Sequence, residues 1–260
     1  MYSSGLEYIV RGNYSHHSYP QVNYFSKNVD DNYSFGSENS IIMERRYAGN
    51  PAKPVQYKSE IKYLASYVTS HSFAPEIFLN PSRQKSRFVD DKSGIMRFAS
   101  QAFELITNEE IPSNISISIL PFAEFRALHS NFGSWSSGIL GFSVNGDKKQ
   151  IFVRENHLDA LMLVLGHEIG HVLTETLPNK HDEEAKAFAF SIEWAITIKK
   201  NNIANLGLNI KDELDFQPAR NGLHDVAFAF VDLMVRKGRK AIELHDDLSR
   251  RYLSMFDRIY

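Results

Sequence analysis

The sequence predicts an α+β fold, a small twisted sheet followed by a mostly helical C-terminal part. Three observations carry this. Strand-like apolar stretches are confined to residues 115–153. Outside that window, apolar residues recur at the i, i+3, i+4 spacing of helices. Strands and helices are therefore segregated rather than alternating, which separates α+β from a βαβ design. With 260 residues the chain can bury one large core.

The elements follow in order. Residues 1–57 hold eight of the twelve tyrosines, interleaved with Ser, Asn and Gly, and keep neither a helical nor a strand period. The stretch Gly49-Asn50-Pro51-Ala52-Lys53-Pro54 then breaks the chain. Two readings of 1–57 stand: a tail or linker, or a segment that lies over the rest as a latency peptide or export address. The globular domain is expected over 58–260. Ile61, Leu64, Ala65 and Val68 mark a short helix, and Ile95, Phe98, Ala99, Ala102, Phe103 and Ile106 a longer one. Ile115, Ile117 and Ile119 alternate with serines, a half-buried strand. Residues 139–144 and 150–153 are two more strands, with Asn145-Gly146-Asp147 as the hairpin turn between them. Helices are expected over about 156–174, 182–200, 221–237 and 240–258.

Composition excludes several classes of function. Cysteine is absent, which removes disulfide scaffolds, thiolate metal sites and thiol catalysis. Only His, Asp and Glu remain as strong metal ligands. A net charge of −2 gives no direct signal for nucleic acid. No apolar run reaches the roughly 20 residues that span a bilayer. The first residues lack a basic n-region followed by an apolar h-region, so a cytoplasmic location is expected, with leaderless export as the other route. Oligomeric state has no signature here.

The chemistry lies within Leu165-Gly166-His167-Glu168-Ile169-Gly170-His171-Val172-Leu173. Histidines at i and i+4 lie on one helix face, so their ring nitrogens can meet one metal ion. Glu168 then sits beside the metal, where it can take a proton from water. This H-E-x-x-H arrangement is the zinc-peptidase signature. The metzincin extension is missing, since Thr174 and Leu177 stand where Gly and His would be needed. A third ligand is expected from His181-Asp182-Glu183-Glu184, at the start of the next helix. The same acids also suit a helix N-terminus, with Asp182 as cap. Periodicity alone does not separate Glu183 from Glu184. Downstream, His224, His245 and Tyr252 are available to steady an oxyanion, His224 being the best placed. His16-His17 could occupy the metal's open position in a latent form.

The run Gly138-Ile139-Leu140-Gly141-Phe142, Gln150-Ile151-Phe152-Val153, His167-Glu168-Ile169-Gly170-His171 and Glu184-Ala185-Lys186-Ala187-Phe188-Ala189 resembles the ImmA/IrrE family of HExxH metallopeptidases. The likeness covers roughly residues 115–195. Lys186 stands where that family has Asn, no clear Leu-Leu-x-Pro follows, and residues 1–57 have no counterpart. The resemblance implies a zincin-like fold, with the sheet packed on the HExxH helix. It implies one Zn2+ held by His167, His171 and Glu184, with Glu168 as general base and a gluzincin-type metalloendopeptidase activity on a protein or peptide. The strand Gly138–Phe142 would then hold an extended peptide at the sheet edge. Two other expectations stand beside this one. One is a regulatory protein that binds a repressor or stress-response partner with little or no proteolysis. The other is a leaderless secreted protease effector.

Overall fold

The structure, a computed structural model, describes residues 68–69, 73–212 and 222–256. All of them belong to the larger of two units, Val55–Tyr260. The Tyr-rich segment 1–57 lies outside the described residues. Six α-helices and two small sheets make an α+β arrangement among the described residues.

The larger sheet has four strands: β1 (Val68–Thr69), β3 (Ile115–Leu120), β4 (Gly141–Val144) and β5 (Lys149–Arg154), in the order β1-β4-β5-β3. β4 pairs antiparallel with both β1 and β5, and β3 runs parallel to β5 in register Ile117↔Ile151. The smaller sheet joins β2 (Phe88–Val89) to β6 (Asn156–His157). Val68, expected at the end of a short helix, lies in β1. The rest of that stretch is outside the described residues.

Alternation along the strands builds two cores. On β5, Ile151 and Val153 face the main core, while Phe152 joins a satellite cluster with Phe125, Ile139, Phe142 and Val144. Helix α2 (Phe122–His129) covers that second cluster. It was not anticipated from the sequence, although Pro121 at its N-cap and Phe122, Phe125 and Leu128 at i, i+3 and i+6 are legible signals.

Helix α3 (Leu158–Val172) is buried along its whole length, which explains a sequence apolar nearly all round. The sheet packs on it through β4 and β5, and α4 (Lys180–Lys200) lies against it as well. α4 in turn carries α1 (Ser93–Thr107), α5 (Leu223–Arg236) and α6 (Ala241–Ser249). The α3–α4 approach is close. A Cβ on Gly170 would lie 3.0 Å from the Cα and the O of Ala187. Only glycine allows the HExxH helix to come this near its neighbour. The turn between α3 and α4 is fastened by side chains. Asn145 Nδ2 donates to the carbonyls of His171 and Thr174, and Lys149 Nζ donates to that of Leu173. These carbonyls lack helical partners, so the bonds close the C-terminal end of α3.

Candidate metal centre

Two helices and the start of a third bring three imidazoles around one carboxylate. His167 Nε2 and His171 Nε2 lie 3.2 Å apart on one face of α3. Glu184 of α4 reaches between them, its Oε2 3.6 Å from His167 Nε2 and its Oε1 3.7 Å from His171 Nε2. His224, in the first turn of α5, places Nε2 2.9 Å from Glu184 Oε2. Two His–Glu–His triplets therefore share His167 and Glu184. One is completed by His171 and the other by His224, whose ligand atom lies within 4.8 Å of both shared residues. Every one of these side chains is at most 2% exposed.

Hydrogen bonds on the far sides of the rings fix which nitrogens point inward. Ser191 Oγ donates to the Ala187 carbonyl at 2.8 Å, so it must accept from His167 Nδ1 at 3.1 Å. His171 Nδ1 donates to Glu183 Oε1 at 2.8 Å. Each Nδ1 thus carries a proton, so in its neutral form each ring turns a lone pair at Nε2 toward the other. Two lone pairs at 3.2 Å repel unless a cation or proton lies between them. This is the pattern by which metal-ligating histidines are oriented through their second nitrogen. A buried His–Glu–His group of this kind can bind a metal ion, and the donor set of imidazole nitrogens and carboxylate fits a borderline cation.

The electrostatics point the same way. Burial holds His167 down at about 3. Burial also lowers His171, but the carboxylates of Glu184 and Glu183 outweigh it and raise that ring above its ordinary value. Burial alone would raise Glu184, yet His171 and His224 hold its carboxyl well below the usual range. The buried Glu184 carboxylate is therefore held ionised by the imidazoles around it.

Glu183 is held on three sides. Its Oε2 accepts from Leu177 N at 2.7 Å and from Lys186 Nζ at 2.9 Å, while Oε1 takes the His171 proton. Lys186 is itself fully buried, and its Nζ also donates to the carbonyls of His171 and Glu175. Periodicity left Glu183 and Glu184 equivalent as the third ligand. The structure gives them different places: Glu184 faces the histidine Nε2 atoms, and Glu183 orients His171 from behind.

Glu168 lies against β4. A Cβ on Gly141 would sit 2.9 Å from Glu168 Oε1 and 2.6 Å from Val164 Cγ1, so the strand passes over this carboxylate only because residue 141 is glycine. Glu168 Oε2 is buried with no hydrogen-bond partner among the described residues. Burial pushes its carboxyl up to about 7, against the pull of His171 and a hydrogen bond from Ser143. Phe73 stacks on the His167 ring at 4.4 Å and 19°, and Phe188 closes on it at 4.9 Å.

The other residues singled out from the sequence fare differently. Asp182 does not cap α4: the cap is Asn179, whose Oδ1 accepts from His181 N, because the helix begins at Lys180. Asp182 instead accepts from Ser254 Oγ and Met255 N, tying down the chain after α6. His181 meets the ring of Phe256 edge-on rather than His167, His171 or Glu184. His245 is buried against Phe190, and Tyr252 is 74% exposed. Of Gly138–Phe142, only Gly141 and Phe142 are in a strand, and β1 pairs beside them at Ser143 and Val144. β4 is thus an inner strand in the sheet order, whose outer strands are β1 and β3. His16-His17 lies outside the described residues. Ser191, Lys186 and Phe73 were missed as parts of the site: Ser191 and Phe73 act across inter-element contacts that carry no local signature, whereas the i,i+3 spacing of Lys186 from Glu183 was a legible signal.

No protein-family model, curated protein or solved structure matches this chain. No helix among the described residues is long and apolar enough to cross a membrane.

Proposed function

We propose that the chain is a zinc-dependent metallopeptidase of the gluzincin type, similar in its HExxH and EAxxFA segments to the ImmA/IrrE family. One observation carries the reading: His167, His171 and Glu184 converge with both Nε2 lone pairs aimed inward, and Glu168 stands beside them. Those three residues would hold the ion. When bound, zinc would supply Lewis acidity toward a peptide carbonyl and bring the pKa of water to about 7. Glu168 performs the proton transfers. Its unpartnered Oε2 accepts a proton from the attacking water and returns it to the leaving amine. A carboxyl raised to about 7 suits both halves of that exchange near neutral pH. The Glu183–His171 and Ser191–His167 bonds keep the rings in their productive tautomers.

The burial of all these side chains favours a second reading, a regulatory protein that binds a partner with little proteolysis. One variant separates the two. For zinc-loaded full-length chain acting on fluorescein-labelled casein, Glu168→Gln should lower hydrolysis about 10²- to 10⁴-fold with zinc content unchanged. Wild type without stoichiometric zinc, or equal hydrolysis by both proteins, would refute the peptidase.

A further inference from the structure

We infer that His224 is a fourth protein ligand of the same ion, so that the arrangement described here is a closed, resting form of the centre. The inference rests on the metal reading above and extends it. Zinc binds imidazole nitrogen and carboxylate oxygen at about 2.0–2.2 Å, so ligand atoms in a tetrahedral shell lie about 3.4 Å apart. His167, His171 and Glu184 meet this spacing pairwise, at 3.2 Å between the rings and at 3.6 and 3.7 Å through Glu184 Oε2 and Oε1 respectively, and His224 Nε2 joins them 2.9 Å from Glu184 Oε2. His224 also falls with His167 and Glu184 in a buried group whose ligand atoms lie within 4.8 Å of one another.

The setting of His224 supports a ligand role. Its side chain is 2% exposed and packs edge-on to Phe188 at 5.7 Å and to His167 at 6.1 Å, sharing the apolar wall that seats the HExxH pair. It comes from the first turn of α5. Catalytic zinc sites keep three protein ligands and one open position, whereas four protein ligands close the shell. A chain supplying three histidines and a glutamate has no position left for water. Turnover therefore requires His224 to leave the ion.

A ligand and an oxyanion donor differ in what they do to the ion itself. Zinc affinity of the full-length chain, measured by chelator competition, should fall about 100-fold or more in both His224→Ala and His224→Gln. Zinc-edge X-ray absorption should count three imidazoles in wild type and two in either variant. Thermal unfolding of the metal-free proteins, with the Gln variant retaining a polar side chain, controls for misfolding. An imidazole count of two in wild type overturns the fourth ligand while leaving the zinc centre standing. So does a fall in affinity with no change in count, which would make His224 a group that merely orients Glu184. A wild-type chain that binds no zinc overturns both readings.

Discussion

His171 and His129 are buried to the same degree, 2% and 0% exposed, yet they sit in opposite surroundings. His171 is held between two helices with one nitrogen on Glu183 and the other turned toward His167 and Glu184. His129, in the satellite cluster, lies edge-on to Trp135 and Phe142, and neither of its ring nitrogens has a hydrogen-bond partner among the described residues. Burial lowers His129, whereas the nearby carboxylates overcome burial at His171 and raise it. Burial alone therefore does not make a histidine a ligand. A second nitrogen anchored from behind, so that the first presents a lone pair to other donors, is what prepares one to bind a metal.

The largest effect should come from removing a proposed ligand on one side of this comparison. Zinc stoichiometry by elemental analysis should fall from one to near zero in His171→Ala and in Glu184→Ala, and stay at one in His129→Ala. Zinc retained by both ligand variants would break the comparison, because the inward Nε2 geometry would then have no consequence.

A smaller effect isolates the anchoring. Glu183→Gln keeps the shape but removes the charge that accepts the His171 proton and pairs with Lys186. Loss of the hydrogen bond that orients a metal-binding imidazole from behind typically costs 10- to 100-fold in metal affinity. The variant should also be less stable to urea by about 3–5 kcal/mol, since buried Lys186 loses its counter-charge. Glu183→Gln combined with Lys186→Met should recover much of that stability without recovering zinc affinity. Recovery of both would show that Glu183 serves the fold alone.

How much of this was legible in the sequence depends on distance along the chain. His167, Glu168 and His171 lie within one helical turn and a half, where spacing alone fixes a shared face. Glu184 needed a resemblance to separate it from Glu183, because which of two adjacent helix positions faces α3 depends on how α4 rolls against it. That roll is set by contacts such as Gly170 on Ala187, which no periodicity encodes. Ser191 and Lys186 reach the site across the same contact, and Phe73 comes from a separate segment. The strands behaved likewise. Alternation marked β3 and the β4–β5 hairpin, but the parallel pairing of β3 with β5 and the position of β1 beside β4 are tertiary choices.

The smallest effect sharpens the other side of the comparison. A buried imidazole with no partner costs about 1–3 kcal/mol relative to a paired one, whereas an apolar ring of similar shape carries no such cost. His129→Phe, placed among Phe125, Trp135 and Phe142, should therefore be neutral or stabilising by about 1 kcal/mol at pH 7, with zinc content unchanged. The pH dependence fixes the cause. The folded pKa of His129 lies below its unfolded value near 6.5, so the unfolded chain takes up the proton first as pH falls. His129 is neutral in both states well above pH 6.5, and its penalty grows as pH drops from there toward the folded pKa. The stability advantage of His129→Phe in urea titrations should thus widen between pH 7 and pH 5. A constant difference across that range would mean that the ring fits its site by shape alone, and that protonation of His129 plays no part in acid unfolding.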